Sequence, residues 1–175
     1  MNLKEEKCLI AYFSRAGNNY VGGEIENLPV GNTEVLAKMI QEITGADIFH
    51  IDPVNSYPQD YNETTEVAQK ELNEDARPEL SNHVENMGAY SVIFLGYPNW
   101  WGTMPLPVFT FLEEYDFSGK TIIPFCTHEG SGLGHSAKDI AKICPKATLL
   151  DGLALHGARV SDAKENLKNW LSKLK

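Results

Sequence analysis

SVIFLGYPNWWGTMPLP, residues 91–107, carries a strand, a loop and the start of a helix in one unbroken stretch. Ser91–Tyr97 is an almost continuous apolar run, the pattern of a parallel strand covered on both faces. Pro105 and Pro107 suit the first turn of a helix, where a missing N–H costs nothing, and Val108, Phe109 and Leu112 give that helix its apolar side. Two similar runs lie on either side. CLIAYF, residues 8–13, reads as a first strand and TIIPFC, residues 121–126, as a fourth, although Pro124 removes a ladder donor from the latter. Ala46–Ile51, stopped by Asp52-Pro53, is the second strand. Ala147–Leu150, extending toward Leu155, is the fifth.

Helical periodicity fills the gaps between these runs. Thr33–Thr44 places Val35, Leu36, Met39, Ile40 and Ile43 on one stripe, with Asn32 or Thr33 as cap and Gly45 as stop. Tyr61–Asn73 turns Val67, Ala68 and Leu72 inward. Ser136–Ile143 begins like a capping box, Ser136 with Asp139. Ser161 caps a last helix whose stripe is Ala163, Leu167, Trp170, Leu171 and Leu174. Strands alternating with helices predict an α/β fold, a doubly wound three-layer sandwich around a parallel sheet. A length of 175 residues predicts a single domain over 1–175.

Composition removes several functions. No apolar stretch approaches the roughly 18 to 20 residues that span a bilayer, and Met1–Lys7 lacks the pattern of a signal peptide, so a cytoplasmic location is expected. Cys8, Cys126 and Cys144 are not spaced as metal ligands, and Cys8 and Cys126, inside predicted strands, read as small buried hydrophobes. The net charge is −9, concentrated between Asp60 and Glu85. Such a surface repels nucleic acid and anionic membrane; it either steers a basic protein partner or simply keeps the chain soluble.

In a sheet of this kind ligands bind outside the carboxyl ends of the strands, which directs attention to three loops. The first runs from Ser14-Arg15-Ala16 to Gly31-Asn32-Thr33, where hydroxyls and free N–H groups at a helix start can hold a phosphate. It is neither GxxxxGK[ST] nor GxGxxG. In the second, Pro98-Asn99-Trp100-Trp101-Gly102, the two tryptophans offer a platform for a planar ring; alternatively one plugs the core and the other packs beneath the acidic helix. The third, Thr127-His128-Glu129-Gly130-Ser131-Gly132, lets backbone groups face a heteroaromatic edge. Ser131 does not lie in GxSxG. His128 reads as an acid, a hydrogen-bond donor or a loop anchor.

YFSRAGN, GNTEVLA, GYPNWWGTMPLP and THEGSGLG together resemble the flavodoxin family, in particular a branch whose second loop reads Trp-Trp-Gly-Thr-Met-Pro. The resemblance covers nearly the whole chain. It implies a five-stranded parallel sheet of order 2-1-3-4-5 holding one non-covalent FMN. Ser14, Arg15, Ala16, Asn32 and Thr33 would hold the phosphate. Pro98, Asn99, Trp100, Trp101 and Gly102 would flank the ring, and Thr127, His128, Glu129, Gly130, Ser131 and Gly132 would close its other side. The implied function is a low-potential one-electron carrier between redox proteins, with basic partners docking near the flavin edge. The alternative is an NAD(P)H-dependent oxidoreductase passing electrons to a quinone or similar small acceptor. The chain departs from the pattern twice. Residues 17–31 separate Ser14 from Asn32-Thr33, either as a flap over the cofactor or as a harmless excursion, with Asn19 and Tyr20 within reach. The third loop also lacks the tyrosine that commonly stacks on the flavin.

Overall fold

The structure, a computed structural model, describes residues 1–174. The central strands are β1 (Cys8–Tyr12), β4 (Asp47–His50), β5 (Val92–Pro98) and β6 (Thr121–His128), and the fifth position is shared by β7 (Thr148–Leu149) and β8 (Leu153–His156). All pairs in this sheet are parallel, in the order β4-β1-β5-β6-β7, with β8 also on β6. Counting the split strand once, this is the 2-1-3-4-5 arrangement.

The apolar runs arise from burial on both faces. Leu9 and Ala11 of β1, Ile93, Leu95 and Tyr97 of β5, and Ile122 and Cys126 of β6 enter one core. Their alternates Ile10 and Tyr12, Val92 and Phe94, and Ile123 and Phe125 enter the other. The first core includes residues of α3 (Leu106–Glu114) and α4 (Ser136–Ile143), with Leu72 of α2 (Tyr61–Asn73) against it. The second takes α1 (Asn32–Thr44) and α5 (Lys164–Ser172). Cys8, Cys126 and Cys144 are free and buried within these layers, and burial pushes their thiols up to about 11, 12 and 11.

Pro124 sits within central β6 because the fifth strand is broken opposite it. Thr121 and Ile122 pair with β7, and pairing resumes at Phe125 with β8. Ile122 O accepts from Leu150 N, so the alternation of the strand turns residue 124 toward the same neighbour, where no donor is needed.

Several local expectations change. Val67 is 38% exposed, because α2 buries Thr64 and Ala68, one turn apart, instead. Ser136 is the first residue of α4 and not its cap; its buried hydroxyl meets Leu133 O and the Tyr97 hydroxyl. Asp139 accepts from Thr103 and pairs with His135. Ser161 lies in a 3-10 segment, Gly157–Asp162, and α5 begins after Ala163 without a side-chain cap.

The largest departure is the segment after β1. It folds as an antiparallel hairpin, β2 (Gly17–Val21) with β3 (Glu24–Leu28), in a sheet of its own. Gly22 and Gly23, both at positive φ (61° and 93°), form the two-residue turn that tight hairpins require.

Candidate functional site

The hairpin returns the chain so that Ser14 lies against the start of α1. Ser14 Oγ accepts from Glu34 N at 3.1 Å and so caps the helix from twenty positions away, where Asn32 or Thr33 was expected to do so. The structural N-cap is Gly31, which has no side chain to offer. Since Ser14 receives this bond on its oxygen, its own O–H remains a donor. The N–H groups of Asn32 and Thr33 have no carbonyl behind them within the helix, and the helix dipole places about half a positive charge there.

These groups border a hollow of about 160 Å³ at the carboxyl ends of the strands, lined also by Thr127, His128 and Glu129. The buried hydroxyls of Thr33 and Thr127 bond each other at 2.9 Å. One O–H donates within that pair and the other is left free. Gly157 completes the hollow: a Cβ there would stand 2.6 Å from Asn32 Nδ2 and 3.0 Å from Glu129 Oε1. A side chain would fill this space.

Of the remaining first-loop residues, Arg15 lines the hollow but its guanidinium is engaged elsewhere. It donates to Asn18 O and, at 2.7 Å, to both Pro58 O and Gln59 O, tying the loop to the approach to α2. Ala16 is exposed and lies outside the lining.

The second loop is a tight turn. Trp100 and Thr103 exchange backbone hydrogen bonds, with Trp101 and Gly102 at φ of 56° and 86° between them. Asn99 holds it to the third loop: its Nδ2 donates to Gly132 O and its Oδ1 accepts from Gly102 N. Trp100 lies edge-on to Phe13 and Tyr57, at centroid distances of 5.2 and 5.0 Å. Trp101 is half exposed and donates from Nε1 to Thr65 O of α2. One ring therefore does plug toward the core while the other packs on the acidic helix. Pro98, Asn99 and Trp100 line the hollow, whereas Trp101 and Gly102 do not. The Gly102 carbonyl is taken by His135 N.

In the third loop, Thr127 and His128 are the last residues of β6, not loop residues. Gly130 N donates to His128 Nδ1 at 2.9 Å, which puts the neutral ring's proton on Nε2. Burial, then the nearby His156 at a centroid distance of 4.5 Å, lowers the His128 pKa and keeps it neutral. Glu129 accepts from Gly22 N at 3.0 Å, fastening the hairpin tip over this edge of the site. Gly130, Ser131 and Gly132 lie outside the lining.

Asn19, Tyr20, Tyr61 and Gly157 line the hollow as well. The first two were within expected reach. The signal for the hairpin that carries them, Val21-Gly22-Gly23-Glu24, was present in the sequence. Tyr61 and Gly157 carry no local signature. Tyr61 stacks on Tyr20 at 5.8 Å, and burial raises its hydroxyl pKa, aided by Tyr20 and Glu129 and opposed by Arg15.

A protein-family model described as Flavodoxin matches residues 7–174. A protein of Bacteroides eggerthii described as a flavoprotein is 30% identical, with a TM-score of 0.76 over 95% of this chain and 96% of its own. A similarly described protein of Bacteroides uniformis is 28% identical, with a TM-score of 0.76 over 96% and 99%. A flavoprotein of Lactobacillus acidophilus in complex with FMN shares the fold at 17% identity, with a TM-score of 0.65 over 93% and 99%. Among curated proteins none matches.

Proposed function

The chain belongs to the flavodoxin family, and from that premise we propose that it holds one FMN at the ends of β1, β5 and β6 and carries electrons between redox proteins. The observation behind this reading is the polar hollow at the start of α1. There the Ser14 hydroxyl, the N–H groups of Asn32 and Thr33 and the space beside Gly157 converge. These are neutral donors at the positive end of a helix, a donor set suited to a phosphate.

Bound FMN supplies the one- and two-electron chemistry; the chain supplies position and electrostatics. Ser14, Asn32 and Thr33 hold the phosphate. Arg15 positions the loop through its three carbonyl partners and does not ligate. Asn99 bonds the second loop directly to the third and so fixes the relative position of the two loops at the edge of the site. His128 donates from Nε2. Glu129, an anion, serves the ribityl hydroxyls as an acceptor and closes the hairpin. The half-exposed Trp101 and the acidic face of α2 form the side on which a basic redox partner docks.

A second reading is an oxidoreductase fed by NAD(P)H, and it draws on a larger cavity beside the hollow, about 400 Å³ in volume, bordered by Trp100 and Trp101. Stopped-flow mixing with NADPH separates the two. A carrier is reduced slowly by NADPH alone and shows two separate one-electron steps in an anaerobic redox titration. Rapid reduction by NADPH followed by steady quinone turnover rejects the carrier.

A further inference from the structure

The turn from Trp100 to Thr103 is closed by exchanged backbone hydrogen bonds, and its two central residues, Trp101 and Gly102, both have positive φ, 56° and 86°. Turns of this shape favour an Asn-Gly pair. Glycine meets the demand at the second position, but tryptophan does not meet it at the first. Among the described residues other than glycine, only Asp75 shares the positive φ of Trp101, and a bulky side chain in that region is an outlier. Such a conformation persists only where the surroundings impose it.

What imposes it comes from the start of α4. His135 N donates to Gly102 O at 2.8 Å. Asp139 Oδ2 accepts from the Thr103 hydroxyl and lies 2.9 Å from His135 Nδ1; a carboxylate has no proton to give, so Nδ1 is the donor. One carboxylate oxygen thus joins the residue that ends the turn to the residue that holds its middle. The backbones approach so closely that a Cβ on Gly134 would collide with Gly102 O. Hydroxyl, carboxylate and imidazole do not form a nucleophilic set here, because Thr103 is buried and its hydroxyl goes to the carboxylate, not to the imidazole. Neither His135 nor Asp139 lines the phosphate hollow or the cavity beside it, whereas Asn99 and Trp100, which lead into the turn, line both.

We propose that Asp139 and His135 are positioning residues: by clamping Thr103 and Gly102 they hold Trp101 in its left-handed conformation and keep Asn99 and Trp100 at the site. In the part that concerns flavin, this rests on the FMN reading. The clamp acts on the tryptophan turn and not on the start of α1. Its loss therefore weakens the hold on the flavin ring and leaves the phosphate contribution intact, so FMN and riboflavin lose affinity by the same factor.

Amide hydrogen exchange of the apoprotein, followed by NMR, tests the clamp without flavin. Asp139→Leu should speed exchange at Trp100, Gly102 and Thr103 roughly tenfold or more, the worth of a hydrogen bond to a charged group. Asp139→Asn, which keeps an acceptor oxygen in place, should recover part of the protection. In a Trp101→Asn background the turn no longer has to be forced, and Asp139→Leu should then cost about threefold or less. Flavin fluorescence titration of the same apoproteins should show FMN and riboflavin weakened equally, roughly three- to thirtyfold, by Asp139→Leu and by Thr103→Val. Ile143→Ala, at the far end of α4, should lower Tm and leave both affinities unchanged. Unchanged exchange in Asp139→Leu, an equal effect of it in both backgrounds, a larger loss for FMN than for riboflavin, or the same flavin loss in Ile143→Ala would overturn the proposal. Should neither flavin bind the native protein, the FMN reading falls and the exchange rates alone decide on the clamp.

Discussion

Removing the Ser14 hydroxyl separates its two roles. Ser14 Oγ accepts from Glu34 N across the start of α1, and loss of such a cap costs about 0.5–2 kcal/mol. For a protein of this size a loss of about 1 kcal/mol lowers Tm by roughly 2–4 °C. Its free O–H is assigned to the phosphate, a charged acceptor, where one hydrogen bond is worth about 1.5–3 kcal/mol. Ser14→Ala should therefore weaken FMN roughly 10- to 150-fold. Riboflavin, identical but without the phosphate, should lose no more than about threefold, because only the slackened helix start touches its binding. Titrating the apoprotein with each ligand by flavin fluorescence, beside a thermal melt, gives all three quantities. Equal weakening of FMN and riboflavin would refute the phosphate role. An unchanged Tm would refute the capping geometry.

Three further outcomes follow from particular contacts. Gly157→Ala should weaken FMN severalfold with little change in Tm, because its Cβ would displace only the flexible ends of Asn32 and Glu129; parallel losses of both would argue against a cradle. His128 has a pKa lowered from 6.5 by burial and His156, so the folded state binds fewer protons than the unfolded one. Its contribution is complete above the ordinary value and is lost as pH falls through the lowered one. Urea melts between pH 7.5 and 5 should thus show a steeper acid loss for the native protein than for His128→Asn. Cys8, Cys126 and Cys144, buried and pushed up to about 11, 12 and 11, should not react with a thiol reagent at pH 8 until urea exposes them, as a colorimetric thiol assay would register.

The parallel sheet could be read from the sequence because burial on both faces writes itself as continuous apolar runs, as in Cys8–Phe13 and Ser91–Tyr97. Pro124 was ambiguous for a physical reason: whether a proline fits a central strand depends on the neighbouring strand, here broken between Leu149 and Leu153. Helix caps were the least legible feature. The acceptor that caps α1 lies twenty positions away, and Ser136 spends its hydroxyl on Leu133 and Tyr97. Local patterns carry no trace of such partners. Of the residues singled out in the three loops, Ser14, Asn32, Thr33, Pro98, Asn99, Trp100, Thr127, His128 and Glu129 line one hollow. Arg15 reaches the same hollow but is diverted to carbonyls. Tyr61 and Gly157 enter through tertiary approach alone, which no spacing records.

The central claim, that FMN is held at these strand ends, is tested most directly by the visible absorption spectrum of the purified protein, reconstituted with FMN, desalted and then reduced anaerobically. The account predicts one equivalent of retained flavin, with a band that bleaches reversibly on addition of reductant. A colourless protein after desalting would contradict it.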